Sequence, residues 1–113
     1  MPAPRNGDQK GTKMDINVNK DGANLQIVLS GRLDTNTAPE LDATLKENLE
    51  GMTGLVIDLA EVQYVSSAGL RVLLAAQKEM NKASGALKVL HPNEYVMDVF
   101  EATGFVDIMD IEP

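Results

Sequence analysis

The stretch Leu55-Val56-Ile57-Asp58-Leu59-Ala60-Glu61-Val62-Gln63-Tyr64-Val65-Ser66-Ser67-Ala68-Gly69-Leu70-Arg71-Val72-Leu73-Leu74 decides the fold. It opens on a continuous apolar run, Leu55 to Ile57, of the kind that suits a strand covered on both faces at the centre of a sheet. It closes on Leu70, Leu73 and Leu74, whose spacing of three and four belongs to one face of a helix. The segment between them reads as a loop. It delivers two serines, Ser66 and Ser67, to the start of a helix predicted over 67–83, with Gly85 ending it. Small residues follow the serines, so the backbone there is uncrowded.

Outward from this stretch the same signals repeat. On the N-terminal side Met14, Ile16 and Val18 alternate with polar residues, which predicts a half-exposed edge strand. Asp21-Gly22 marks a turn, and Leu25 to Leu29 form a second strand of a hairpin that Gly31 breaks. Thr37-Ala38-Pro39-Glu40 has the spacing of a capping box, with Pro39 in the first turn. The stripe Leu41, Leu45, Leu49 predicts a helix over 38–50 that stops near Gly51. On the C-terminal side Leu87 to Leu90 read as a strand. Asn93 caps a short helix carrying Val96, Val99 and Phe100 and closed by Gly104, and Phe105 to Met109 read as a last short strand. The order β-β-α-β-α-β-α-β predicts an α/β fold, a mixed sheet with parallel crossovers covered by helices. The pattern leaves open whether one face or both are covered.

The 113 residues suffice for one domain, expected over 14–113 behind a flexible leader at 1–13. A net charge of -7 disfavours nucleic acid and anionic membranes, whose binding begins with Lys and Arg at phosphates. The acidity is read first as an aid to solubility. With no cysteine, thiol catalysis, disulfides and thiolate metal sites are excluded. The first ten residues lack an apolar segment of the secretory type, and no run approaches the roughly 20 apolar residues of a membrane span. The cytoplasm is the expected location, without membrane insertion and without a cofactor.

The two serines have two readings. Ser is a favoured N-cap, because its hydroxyl accepts from free N–H groups of the first turn. The same helix start presents the positive end of the macrodipole, where a phosphate is stabilised within its own domain. A phosphoserine there adds about -1.5 to -2 charges and changes what the surface accepts.

The segment Val62 to Leu74 resembles the signature of bacterial anti-sigma factor antagonists, the STAS-domain family. Gly31-Arg32-Leu33-Asp34-Thr35-Asn36-Thr37-Ala38-Pro39-Glu40-Leu41 resembles that family's other block. The two blocks stand in the right order, and the resemblance covers about residues 14–110. It implies a protein-binding switch. The unphosphorylated form binds an anti-sigma factor serine/threonine kinase and so frees a sigma factor, phosphorylation ends the binding, and a phosphatase resets the system. Many members read Asp-Ser-Ser/Thr-Gly-Leu at the helix start. Anchored on Gly69-Leu70, the match puts Ser66 in the Asp position and Ser67 in the phosphoacceptor position, with Ser66 the runner-up. The missing Asp is a departure from the pattern. The implied partner-binding residues are Asp34, Ser66, Ser67, Ala68, Gly69 and Arg71.

Asp34 either orients the hydroxyl and contacts the kinase or starts the helix. Asp58 is expected to brace a loop. Arg71, one turn into the helix and off its leucine stripe, meets the partner or the phosphate, or is solvated. His91 stands alone before Pro92, without a carboxylate nearby, and reads as a loop residue. Met97 and Met109 read as core filler. No Gly-x-Ser-x-Gly elbow, Walker loop, Gly-x-Gly-x-x-Gly or His-Glu-x-x-His is present, so the chain is not expected to be an enzyme. A monomer is expected when free. The alternative is a constitutive STAS scaffold subunit of a transport or stress-sensing assembly that is not phosphorylated, with a small-ligand sensor behind it.

Overall fold

Gly22 turns the chain at φ +63 between strands β1 (Asp15–Asp21) and β2 (Asn24–Leu33), which pair antiparallel from Asp15↔Ser30 to Asp21↔Asn24. A two-residue hairpin loop needs this positive φ, which glycine adopts without strain. The computed structural model describes residues 14–113; the expected leader at 1–13 lies outside the described residues. After the hairpin come α1 (Ala38–Asn48), β3 (Gly54–Val65), α2 (Ser67–Lys82), β4 (Ala86–Leu90), α3 (Glu94–Thr103), a 3-10 turn at Phe105–Asp107 and β5 (Asp110–Glu112).

The five strands lie in the order β1-β2-β3-β4-β5, with β2 through β5 parallel. Each crossover therefore steps the same way across the sheet. Right-handed connections then put every helix on one face. Burial agrees: Leu25, Ile27, Leu29, Leu55, Ile57, Leu59, Leu87 and Val89 are buried, whereas their outward neighbours Val28, Val56, Asp58, Lys88 and Leu90 are only half-buried. This corrects the expectation that the Leu55–Ile57 strand is covered on both faces. The helices contribute Ala38, Leu41 and Leu45 from α1, Leu70, Leu73, Ala76 and Met80 from α2, and Val96 and Phe100 from α3 to one hydrophobic core. Burying each large side chain stabilises the fold by about 1.5–3 kcal/mol before the cost of ordering it.

Several local expectations are corrected. Gly31 does not end β2. It sits at φ +113 where the β2–β3 register shifts, and the strand resumes through Arg32 and Leu33. Such a bulge bends the strand and re-aims the residues beyond it. The segment after Ile57 is not a loop, because β3 runs on to Val65 and hands the chain directly to α2. Ser84, at φ +58, makes the turn assigned to Gly85. Gly85 is needed for space instead: a Cβ there would lie 2.5 Å from the Thr53 carbonyl oxygen. Phe105 to Met109 form the 3-10 turn and its exit, not a strand; Phe105 and Met109 are buried, and the last strand comes later than expected, at Asp110. Asn93 and Gly104 act as predicted: Asn93 Oδ1 accepts from Val96 N at 2.7 Å, and Gly104 ends α3 in the left-handed conformation.

Candidate functional site

Both family-like blocks meet where β2 and β3 end side by side. Arg32 pairs with Tyr64 and Leu33 with Val65 in parallel register, and Ser66 N donates to Leu33 O at 2.9 Å. This bond welds the start of α2 to the end of β2. Gly69 is buried against the same residue: a Cβ at 69 would lie 2.6 Å from Leu33 Cγ and 3.0 Å from Leu33 O. A residue with any side chain would push the helix start off the strand.

The two serines differ in what they do. Ser66 is the N-cap of α2, with extended backbone at φ -95 and ψ 176, and its hydroxyl accepts from Gly69 N at a long 3.4 Å. Ser66 O also accepts from Leu70 N at 2.9 Å, the first helical bond. Ser67 is the first helical residue and is exposed. No group among the described residues bonds its hydroxyl. The local fold thus commits one hydroxyl to the backbone and leaves the next one open, at the positive end of a 16-residue helix with no acidic residue in its first turn.

Asp34 stands one residue beyond Leu33. Its Oδ1 accepts from Asn36 N at 3.0 Å and Thr37 N at 3.2 Å, and its carbonyl accepts from Ala38 N at 2.8 Å, so it holds the start of α1. The expected capping box does not form. The Thr37 hydroxyl donates to Arg32 O at 2.7 Å and accepts from Asp34 N at 2.9 Å, and it makes no cap bond into α1. Partial burial works to raise the Asp34 pKa. The N–H groups of Thr37 and Asn36, with the Thr37 hydroxyl and Arg32, outweigh that and hold it below its ordinary value. No hydrogen bond joins Asp34 to either serine among the described residues; the link runs through Leu33. Ala68 and Arg71 from α2 face Thr35, Ala38, Pro39 and Asp42 across a shallow hollow between the two helix starts. Arg71 is exposed and makes no ion pair among the described residues. Asp34, Ser66, Ser67, Ala68, Gly69 and Arg71 therefore come from two distant segments to one end of the sheet.

Three features escaped the sequence. Asp58 accepts from Ala60 N at 2.9 Å within β3, and so braces a strand and not the loop expected there, and it also meets His91 Nδ1 at 3.2 Å. His91 is therefore not without a carboxylate, because the β3–β4 register sets Asp58 opposite Leu90, the residue before it. Where β2 and β3 end, Arg32 Cζ lies 4.4 Å from the Tyr64 ring centroid, and Tyr64 stacks on Tyr95 with centroids 5.9 Å apart and planes 21° apart. Arg32 Nε also contacts Asp34 Oδ2 at 3.5 Å. Reading Tyr64 as a strand residue, with Val65 inward, would have turned its ring outward. No sequence signal would have brought Tyr95 to it. Among the described residues no group of His, Asp and Glu has metal-site geometry, and no helix is long and apolar enough to cross a membrane.

A family model described as "Mlab, STAS domain" matches residues 16–110. The anti-sigma-B factor antagonist of Bacillus subtilis is 32% identical over 98 residues, covering 87% of this chain and 90% of that protein. An anti-sigma factor antagonist from Mycobacterium paratuberculosis superposes with a TM-score of 0.80 at 25% identity, covering 88% of this chain and 86% of the other. The anti-sigma factor antagonist SpoIIAA shares the fold in its unphosphorylated form, at a TM-score of 0.77 and 19% identity over 86% of this chain and 87% of the other. It shares it again in its phosphorylated form, at 0.70 and 18% over 86% and 90%. The chain belongs to the STAS-domain family, among the anti-sigma factor antagonists.

Proposed function

We propose that the chain is a partner switch: with Ser67 as a free hydroxyl it binds an anti-sigma factor that is also a serine/threonine kinase, and phosphorylation of Ser67 ends that binding. The observation that carries the reading is the division of labour between the serines. Ser66 spends its hydroxyl on the helix cap, while Ser67 is exposed at the first position of α2 and unbonded among the described residues. Relatives named as anti-sigma factor antagonists, and a fold neighbour solved in both phosphorylated and unphosphorylated forms, support it.

The mechanism is electrostatic. The docking surface comprises the start of α2, the Asp34 loop and Arg71. A dianion at Ser67 enters a surface fitted to a neutral hydroxyl. Within the chain it is tolerated, because it faces the N-terminus of α2. Buried against a partner without a counter-charge it is costly, and a loss of about 1.4 kcal/mol already weakens binding tenfold. The anti-sigma factor is then free to hold its sigma factor until a phosphatase restores the hydroxyl. The chain itself acts by binding and not by catalysis, as a cytoplasmic monomer when free, forming a single folded domain.

Incubation with ATP and purified anti-sigma kinases of the same host, followed by peptide mass spectrometry, tests the reading. One phosphate on Ser67 is the expected result. Ser67→Ala should bind the kinase and resist release, and Ser67→Glu should bind at least tenfold more weakly. If complexes form but no kinase phosphorylates the chain, it is a constitutive STAS scaffold. A phosphate on Ser66 keeps the switch and moves the acceptor.

A further inference from the structure

The chain has two phenylalanines, two tyrosines and no tryptophan. The phenylalanines stack on each other in the interior: Phe100 and Phe105 are both buried, with centroids 6.1 Å apart. The tyrosines stack on each other at the surface, and Tyr95 is 51% exposed. The core is therefore built without them. Arg32 completes the surface group by lying over Tyr64, with its side chain 45% exposed and, among the described residues, only Nε engaged, on Asp34. Three segments far apart in the chain thus hold a guanidinium and two rings in one fixed ladder.

We infer that the docking face for the anti-sigma factor continues from the start of α2 across the Arg32–Tyr64–Tyr95 ladder onto α3, and that the ladder is its energetic centre. The inference rests on the proposed function and names the partner surface that fits it: a flat apolar patch over Tyr95 with a carboxylate at its edge facing Arg32.

Four observations support this assignment. The first is continuity. Tyr64 lies three residues before Ser67, so at most about 11 Å of chain separates them, and Arg32 flanks Leu33, whose carbonyl holds Ser66. The second is residue type: tyrosine and arginine supply large contact area with few rotors and dominate the binding energy of protein interfaces. The third is preorganisation. The β2–β3 register places Arg32 beside Tyr64, and the Asn93 Nδ2 bond to Val62 O at 3.2 Å ties the start of α3 to β3, so little ordering remains for the encounter. The fourth is charge. In a chain of net charge -7, a half-exposed arginine whose Nη atoms take up no acceptor among the described residues marks a place where a partner's carboxylate is accepted.

The competing role for the ladder is purely internal, a clasp that keeps α3 on β3. The two roles separate by experiment. The full chain, Tyr95→Ala and Arg32→Gln are titrated against the host anti-sigma factor, and each is melted alone. The expected result is a dissociation constant raised at least tenfold in both variants while the melting temperature of Arg32→Gln stays within a few degrees of the parent. Because Tyr95→Ala can loosen α3, Arg32→Gln decides between the roles if the tyrosine variant melts early. Affinities within twofold of the parent in both variants overturn the inference, whatever happens to stability. If those affinities hold while Ser67→Glu still releases the partner, the switch stands and its face stops at α2. If the parent chain binds no anti-sigma factor, the functional reading falls and takes this inference with it.

Discussion

Gly69 packs against Leu33 so closely that a β-carbon at 69 would lie 2.6 Å from Leu33 Cγ, backed by the Leu33 carbonyl oxygen at 3.0 Å. Leu33 Cγ is the branch carbon of the side chain and not its free tip, and the carbonyl oxygen belongs to a paired strand, so neither yields easily. Gly69→Ala is therefore expected to destabilise the fold by about 1–3 kcal/mol, the usual range for overpacking. It should also shift the start of α2. Denaturant unfolding measures the first effect. A drop in the rate of the proposed Ser67 phosphorylation larger than the loss of folded protein would show the second.

The serines should separate in stability as they do in geometry. Ser66→Ala removes an N-cap acceptor and is expected to cost about 0.5–1 kcal/mol, at the low end for caps because the bond is 3.4 Å long. Ser67→Ala removes a hydroxyl that bonds nothing among the described residues and should stay within about 0.5 kcal/mol of the parent. Equal losses in parallel thermal melts would contradict the assignment of cap and free hydroxyl.

Asp34 makes one contribution to stability depend on acid pH. Its pKa is held below the ordinary 3.8, burial opposing and the bonds from Thr37, Asn36 and Arg32 prevailing. A depressed carboxylate contributes its stability fully above the unfolded value and loses it as pH falls through the folded one. The parent should thus be more stable than Asp34→Asn at about pH 6, and the gap should narrow on acidification below about pH 4. A difference that stays constant across that acidification would assign the Asp34 contribution to shape and not charge.

Asn93 combines two tasks that one pair of variants resolves. Its Oδ1 caps α3 through Val96 N, and its Nδ2 reaches Val62 O in β3. Asn93→Asp keeps the cap and loses the tether, while Asn93→Ala loses both. The alanine variant is expected to cost about 1–2 kcal/mol, with the aspartate variant between it and the parent. Hydrogen exchange at Val96 N should accelerate in the alanine variant and less in the aspartate one.

What the sequence revealed was local. The caps at Asn93 and Gly104, the proline in the first turn of α1 and the hairpin at Asp21-Gly22 each depend on residues a few positions apart, and each is where the spacing put it. The two blocks around Asp34 and Ser67 carried the family. The failures all involve partners distant in sequence or a pattern that periodicity reads two ways. Thr37 has the pattern of a capping box, but its hydroxyl is drawn away by the Arg32 carbonyl. Gly31 looks like a strand end because periodicity does not distinguish a bulge from a stop. The stretch from Asp58 to Val65 looks like a loop because Ala60, Glu61 and Gln63 interrupt the apolar run, although Val62 and Val65 still point inward. The Asp58–His91 contact and the tyrosine stack need the strand register and the path of α3, which no window of sequence contains.

The strand order has a consequence for how the molecule is made. Every strand pairs with the one synthesised just before it, so the sheet grows from one edge to the other as the chain leaves the ribosome, with no need to wait for a later segment to be inserted between earlier ones. Each parallel pair still closes across a helix, Leu25 reaching Leu55 and Ile57 reaching Val89, and such non-local pairing slows folding. Leu33, Asp34, Ser66 and Ser67 all precede the end of α2, so these parts of the proposed switch leave the ribosome before β4, α3 and β5 do. The ladder that reaches Tyr95 is completed only when α3 docks. A nascent chain halted after Lys82 would carry the serine, the Asp34 loop, Arg32 and Tyr64 but lack Tyr95, so the proposed face would be completed only by the synthesis of α3.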